Sequence, residues 1–212
     1  MEMAASLMLW PWLRLSPRGD GHSVLVLPGL VAPDASTLLL RRFLREQGWD
    51  PHGWGLGVNL GPRAGVIEAC VDKVQALQAQ SGRKVSLVGW SLGGVYAREL
   101  SKILPHAVRQ VITLGSPVSG HSQATNARHV YEWVSGERAY APDLMARLHE
   151  PPPVPCTSIY SHSDGVVHWR ASVQPPGAQA ENLRVSASHM GMGAHPRVLR
   201  LLAERLAQPL PS

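Results

Sequence analysis

Cysteine is nearly absent. The 212 residues hold two, Cys70 inside an apolar helical pattern and Cys156 at the start of a strand. So few, so placed, they exclude a disulfide framework and read as buried thiols in a reducing, cytoplasmic setting. Charge is thin as well, at 17% of residues against 44% hydrophobic, which excludes disorder and leaves a globular chain of ordinary domain size. The net charge of +5 comes from dispersed arginines with no dense basic block, so no nucleic-acid partner is expected. No apolar run can cross a bilayer. The longest candidate, residues 4–13, is too short, has no Lys or Arg before it and has no small-residue cleavage site after it. Its Trp10 and Trp12, around Pro11, are expected to pack on the domain edge, with contact to a membrane surface as the alternative. Neither Cys-x-x-Cys nor His-Glu-x-x-His occurs, so no metal site is expected. Gly53-x-Gly55-x-Gly57 lacks the third spaced glycine and the helix that would cradle a dinucleotide.

What is present is an alternation of short apolar runs with longer helical patterns, the signature of a mostly parallel sheet with helices on both faces. Strands are expected at 23–27, in a short stretch between 49 and 60, from 85 into the following turn, and at 110–114, 156–160 and 182–185. Helices are expected at about 35–47, between Pro62 and the Ser81-Gly82 stop, at 91–104 and at 195–207. Asp34 or Ser36 is expected to cap the first helix and Gly48 to end it. No internal repeat or second-domain boundary appears, so residues 1–212 are expected to form one domain. Residues 118–150 carry two amphipathic pieces, with Val130, Trp133 and Val134 in one and Leu144, Met145 and Leu148 in the other. They are expected to form a small helical cap. The proline-rich run at 151–155 reads as a stiff connector.

The chemistry concentrates at Gly89-Trp90-Ser91-Leu92-Gly93, where an apolar strand breaks into Gly-x-Ser-x-Gly and then a helix. Such a turn lifts a serine hydroxyl to its tip, and its two glycines let backbone approach backbone. A serine hydroxyl is a weak nucleophile at neutral pH and needs a base, itself held in one tautomer by a third group. In a parallel sheet such groups lie just past the carboxyl ends of strands. Of the histidines, His189 follows the last strand, and Asp164 follows the strand before it. His162 and His168 flank that acid and are the weaker candidates for the base.

The chain resembles the α/β-hydrolase superfamily, in particular small bacterial esterases and triacylglycerol-lipase-like serine hydrolases. The resemblance rests on Leu27-Pro28-Gly29, Gly89 to Gly94, Leu114-Gly115-Ser116-Pro117, Ser163-Asp164-Gly165-Val166-Val167 and Ser188-His189-Met190-Gly191. It implies a minimal form of that fold, without two early strands of larger relatives, a Ser91-Asp164-His189 triad in that chain order, and no cofactor. Where many members carry His-Gly, this chain has Pro28-Gly29. Pro28 has no N–H to give, so Leu30 and Leu92 are the expected oxyanion donors. Trp54 and Asn59 on the glycine-rich loop, with Trp133 and Met145 in the insertion, are expected at the acyl pocket. The expected activity is hydrolysis of a small or lipid-like carboxylic ester through an acyl-enzyme. The same triad would serve an acyltransferase or thioesterase, and a non-catalytic binding module on the same fold is the third reading.

Overall fold

The computed structural model describes residues 2–119 and 150–209. Six parallel strands form one sheet in the order β2-β1-β3-β4-β5-β6: β1 (Ser23–Leu27), β2 (Asp50–Gly53), β3 (Val85–Trp90), β4 (Val108–Leu114), β5 (Cys156–Ser161) and β6 (Ala180–Val185). The inner strands are largely buried on both faces because helices cover both. Val24 and Val26 of β1 join Val88 and Ile112 in one core layer, while Leu25 and Leu27 point the other way and meet Leu87 and Val111. The first layer is closed by α3 (Leu38–Gln47) and α7 (Pro196–Leu206), the second by α4 (Val66–Ser81) and α5 (Leu92–Ile103). Gly48 and Gly82 end α3 and α4 in the left-handed region, at φ 101° and 66°, which a side chain would resist.

The fold therefore meets the expected parallel α/β architecture, and local details differ from it. The chain enters α3 through a 3-10 turn, Asp34–Thr37, and neither Asp34 nor Ser36 caps the helix. Instead the Asp34 carboxylate accepts the backbone N–H groups of Trp54 and Gly55, both at 2.9 Å, tying the turn to the loop after β2. Three short helices go beyond the sequence reading: α1 (Glu2–Met8), α2 (Trp10–Leu13) and α6 (Trp169–Ser172). The expected cap lies outside the described residues but for its ends, and with it Val130, Trp133, Val134, Leu144, Met145 and Leu148. Cys70 and Cys156 are buried free thiols, and burial pushes the Cys70 thiol up to about 11.

At the amino ends of the strands a second set of Ser, His and Asp meets. Buried His22 faces the Asp20 carboxylate through Nδ1 and Ser86 Oγ through Nε2, the latter at 2.8 Å, while Arg83 pairs with Asp20. A carboxylate only accepts, so Nδ1 carries the proton and Nε2 accepts from the serine. Ser86 is wholly buried, which closes it to any substrate. Burial lowers the His22 pKa, with Asp20 opposing. As pH falls below about 6.5 the unfolded chain takes up a proton that folded His22 refuses, so stability falls until the folded pKa is passed. The melting temperature should drop between pH 7.5 and 5, by up to about 1.4 kcal/mol of stability per pH unit for this group. His22→Gln should flatten that slope, leaving the part contributed by His195, which burial also lowers. An equally steep slope in the variant would remove His22 as the cause.

Candidate active site

Strand order reverses between β1 and β3, and Ser91 and the loop that carries Leu30 follow the carboxyl ends of those two strands. Ser91 sits at the tip of the turn from β3 to α5 with φ 53° and ψ −121°, a conformation that costs a non-glycine residue on the order of 1–3 kcal/mol. Its own backbone holds it there, the N–H bonding Leu114 O at 2.9 Å and the C=O accepting from Gly94 N at 3.0 Å. The flanking glycines are required by space. A Cβ on Gly89 would lie 2.3 Å from Gly93 O, and one on Gly93 would lie 2.3 Å from Leu27 O.

Asp164 and His189 come together as the sequence suggested. His189 Nδ1 lies 2.7 Å from Asp164 Oδ2, with both side chains buried, at 6% and 1% exposed. The other carboxylate oxygen, Oδ1, accepts the N–H groups of Val166 and Val167, each at 2.8 Å, so the acid is fixed from both ends. Gly115 allows this approach, since a Cβ there would be 2.9 Å from Oδ2. The acceptor-only carboxylate puts the imidazole proton on Nδ1 and leaves the Nε2 lone pair for a base's work. Trp90 joins this pair to the serine turn. Its indole N–H donates to His189 O at 3.0 Å, and its ring centre lies 6.1 Å from the imidazole's. Among the described residues no hydrogen bond joins Ser91 to His189, a contact that in ligand-free sites is often long.

The loop after β1 passes close to Ser91. A Cβ on Gly29 would stand 3.2 Å from the serine Cβ. Leu30 follows it, and its N–H has no acceptor among the described residues. Leu92 opens α5, a position whose N–H finds no acceptor within its own helix. The same helix N-terminus turns its positive dipole end toward the serine.

Asn59 plays a part that the sequence reading missed. It is wholly buried, its Nδ2 donates to Pro28 O at 2.9 Å, and its Oδ1 accepts from Gly61 N. Its backbone exchanges hydrogen bonds with Val31 and Ala32. Asn59 thus clamps the loop that carries Leu30 and Val31, the latter at φ 57°, and spends its amide on backbone. Trp54 is buried, donates its indole N–H to Gly57 O at 2.9 Å, and lines a cavity of about 320 Å³ with Leu56, Arg63 and Val66, among whose walls Ser91 is not found. Trp133 and Met145 lie outside the described residues. Among the described residues, no group of three or more His, Cys, Asp and Glu side chains is arranged to hold a metal ion. His162 and His168 both pack around Trp169, at ring-centre distances of 4.6 and 5.8 Å, and among the described residues neither hydrogen-bonds Asp164.

The chain is similar to known proteins in sequence and in fold. Residues 56–143 match the family model described as a PGAP1-like alpha/beta domain. The serine hydrolase BPHL of Mus musculus is 31% identical over 109 residues, covering 46% of this chain and 37% of that protein. BPHL of Homo sapiens is 25% identical over 192 residues, covering 72% and 66%. The chain thus spans about a third to two thirds of the length of these curated relatives. Among solved structures, the monoacylglycerol lipase of Paleococcus ferrophilus superimposes with a TM-score of 0.63 at 14% identity, over 90% of this chain and 95% of that one. On its six-stranded parallel sheet, its serine turn and these likenesses together, the chain has the α/β-hydrolase fold.

Proposed function

We propose that the chain is a serine hydrolase of carboxylic esters. The observation that carries this reading is the fixed Asp164–His189 pair beside a serine held at positive φ. In this scheme His189 Nε2 takes the Ser91 proton as Oγ attacks the ester carbonyl. The Leu30 and Leu92 N–H groups hold the resulting oxyanion. The C–O bond to the alcohol breaks as His189 returns the proton to the leaving oxygen. Water, deprotonated by the same imidazole, then cleaves the acyl-enzyme and regenerates Ser91. Asp164 keeps the tautomer and steadies the transient imidazolium. The segment from 118 to 150 leaves after β4 and returns before β5, the two strands between Ser91 and the last strand. Its Trp133 and Met145 are proposed to touch the acyl chain, each buried methylene contributing about 0.8 kcal/mol to chain-length preference.

A series of p-nitrophenyl esters from acetate to palmitate tests the reading, with intact-mass detection of a fluorophosphonate adduct. Turnover with a chain-length optimum, and one adduct mapped to Ser91, are the expected results. An adduct on another serine would reject the assignment. Labelling at Ser91 without hydrolysis would favour an acyltransferase, and neither labelling nor turnover would favour a binding module.

A further inference from the structure

The helical segment at the amino-terminal side is apolar nearly all round. Helical hydrogen bonds continue from α1 into α2 through Leu9, whose N–H bonds Ala5 O and whose C=O accepts from Leu13 N, each at 2.9 Å. One face is anchored to the domain. Leu13 is fully buried, Trp10 meets Phe43 edge to face at 6.0 Å and donates its indole N–H to Glu46 at 2.8 Å, and Ser6 bonds Ala194 O. The opposite face ought to be polar, as on any helix lying on a domain surface. Here it carries Met8, Trp12 and Leu15, spaced i, i+4 and i+7 and exposed by 84%, 40% and 78%, with Leu7 and Leu9 beside them at 55% and 45%.

The chemistry around this stripe says what covers it. Arg14 and Arg18 are exposed next to it, and the Arg200 guanidinium lies 4.5 Å from the Trp12 ring centre. An apolar stripe with tryptophan at its margin and arginines around it is the composition of helices that lie in the headgroup layer of a bilayer. Among the described residues no helix is long and apolar enough to cross one. We propose that α1 and α2 dock the protein flat on an anionic lipid surface, with Met8, Trp12 and Leu15 entering the headgroup–acyl boundary and the arginines meeting lipid phosphates. The same segment reaches the candidate site. Glu2 accepts the N–H of Ser188, the residue before His189, at 3.1 Å, and Met190 just after it is 72% exposed. Docking would hold the rim of the crevice at the surface where lipid esters reside.

Co-sedimentation of the whole protein with vesicles tests this without turnover, so failure of docking and failure of the esterase reading are separate results. Binding is expected to vesicles of phosphatidylcholine with phosphatidylglycerol, to weaken as salt rises, and to be weaker on phosphatidylcholine alone. The double variant Met8→Ser, Leu15→Ser should keep its melting temperature, because both side chains are exposed, and lose at least about tenfold in vesicle affinity. Arg14→Ala with Arg18→Ala should remove most of the preference for the anionic vesicles. Folded protein that sediments with neither vesicle would overturn the proposal. So would equal binding to both, or a self-association, seen by analytical ultracentrifugation, that the double variant abolishes.

Discussion

Ser91→Ala should lower ester turnover by at least about three orders of magnitude and abolish fluorophosphonate labelling. The hydroxyl is held at the turn's tip by backbone that the substitution leaves untouched, so the loss should be chemical, with folding preserved. His189→Ala should lose about as much, since it removes the base that takes the serine proton in this scheme. Asp164→Asn should retain a measurable remnant, because the amide disturbs the imidazole's tautomer and tilt while leaving nucleophile and base in place. Residue by residue, this also tests the choice among histidines. His168 already accepts the Arg170 N–H through Nδ1, and His162 packs at a tilt against Trp169, so alanine at either should leave turnover near that of the parent. An inactive His162→Ala or His168→Ala beside an active His189→Ala would move the base elsewhere. Kinetics with one soluble ester and circular dichroism of each variant suffice to read these outcomes.

The second large effect is on folding. Gly93→Ala would drive a methyl to 2.3 Å from Leu27 O and 2.7 Å from Pro28 O. Gly89→Ala would put one at 2.3 Å from Gly93 O. All of these neighbours are main chain, at the end of β1, just past it and in the first turn of α5, with no flexible side chain to turn aside. Each substitution should cost more than about 4 kcal/mol, the range reached when overpacking meets backbone, and should appear as insoluble protein or a melting temperature far below the parent's. Gly177→Ala is the control, since the added carbon would meet nothing closer than Ala180 Cβ at 3.9 Å. A Gly93→Ala protein melting within a few degrees of the parent would show that the turn is looser than its geometry states.

What the amino-acid sequence discloses follows from what it must bury. β1, β3 and β4 stand in the middle of the sheet, covered on both faces, so most of their residues are apolar and the strands are easily read despite Ser86 in β3 and Gln110 in β4. β2 lies at an edge and consists of Asp50-Pro51-His52-Gly53, a run whose strand character comes from pairing with β1 and from no propensity of its own. The Ser91, Asp164 and His189 positions were legible because the end of a strand is a sequence signal. Asn59 was legible as a residue near the site but not as a clamp, because a buried amide is defined by the backbone atoms it meets, Pro28 O and Gly61 N, and these are brought to it by the fold. Asp34 shows the same limit. It stands where a helix cap would stand, yet its carboxylate serves the loop after β2. The apolar character of residues 4–13 was plain, while the division of that segment into an anchored face and an open one needed the domain beneath it.

Because every strand pairs with its neighbours in parallel, none of the sheet can form as a hairpin, and each pairing waits for a crossover to close. Such chains assemble late and by contacts distant in sequence. The loop after β1, the turn after β3, the acid after β5 and the histidine after β6 meet only once β6 has joined the sheet edge beside β5. A half-assembled chain would present Ser91 without its base. Recovery of reactivity during refolding should therefore lag the return of helical signal, making the serine a clock for the arrival of the last strand.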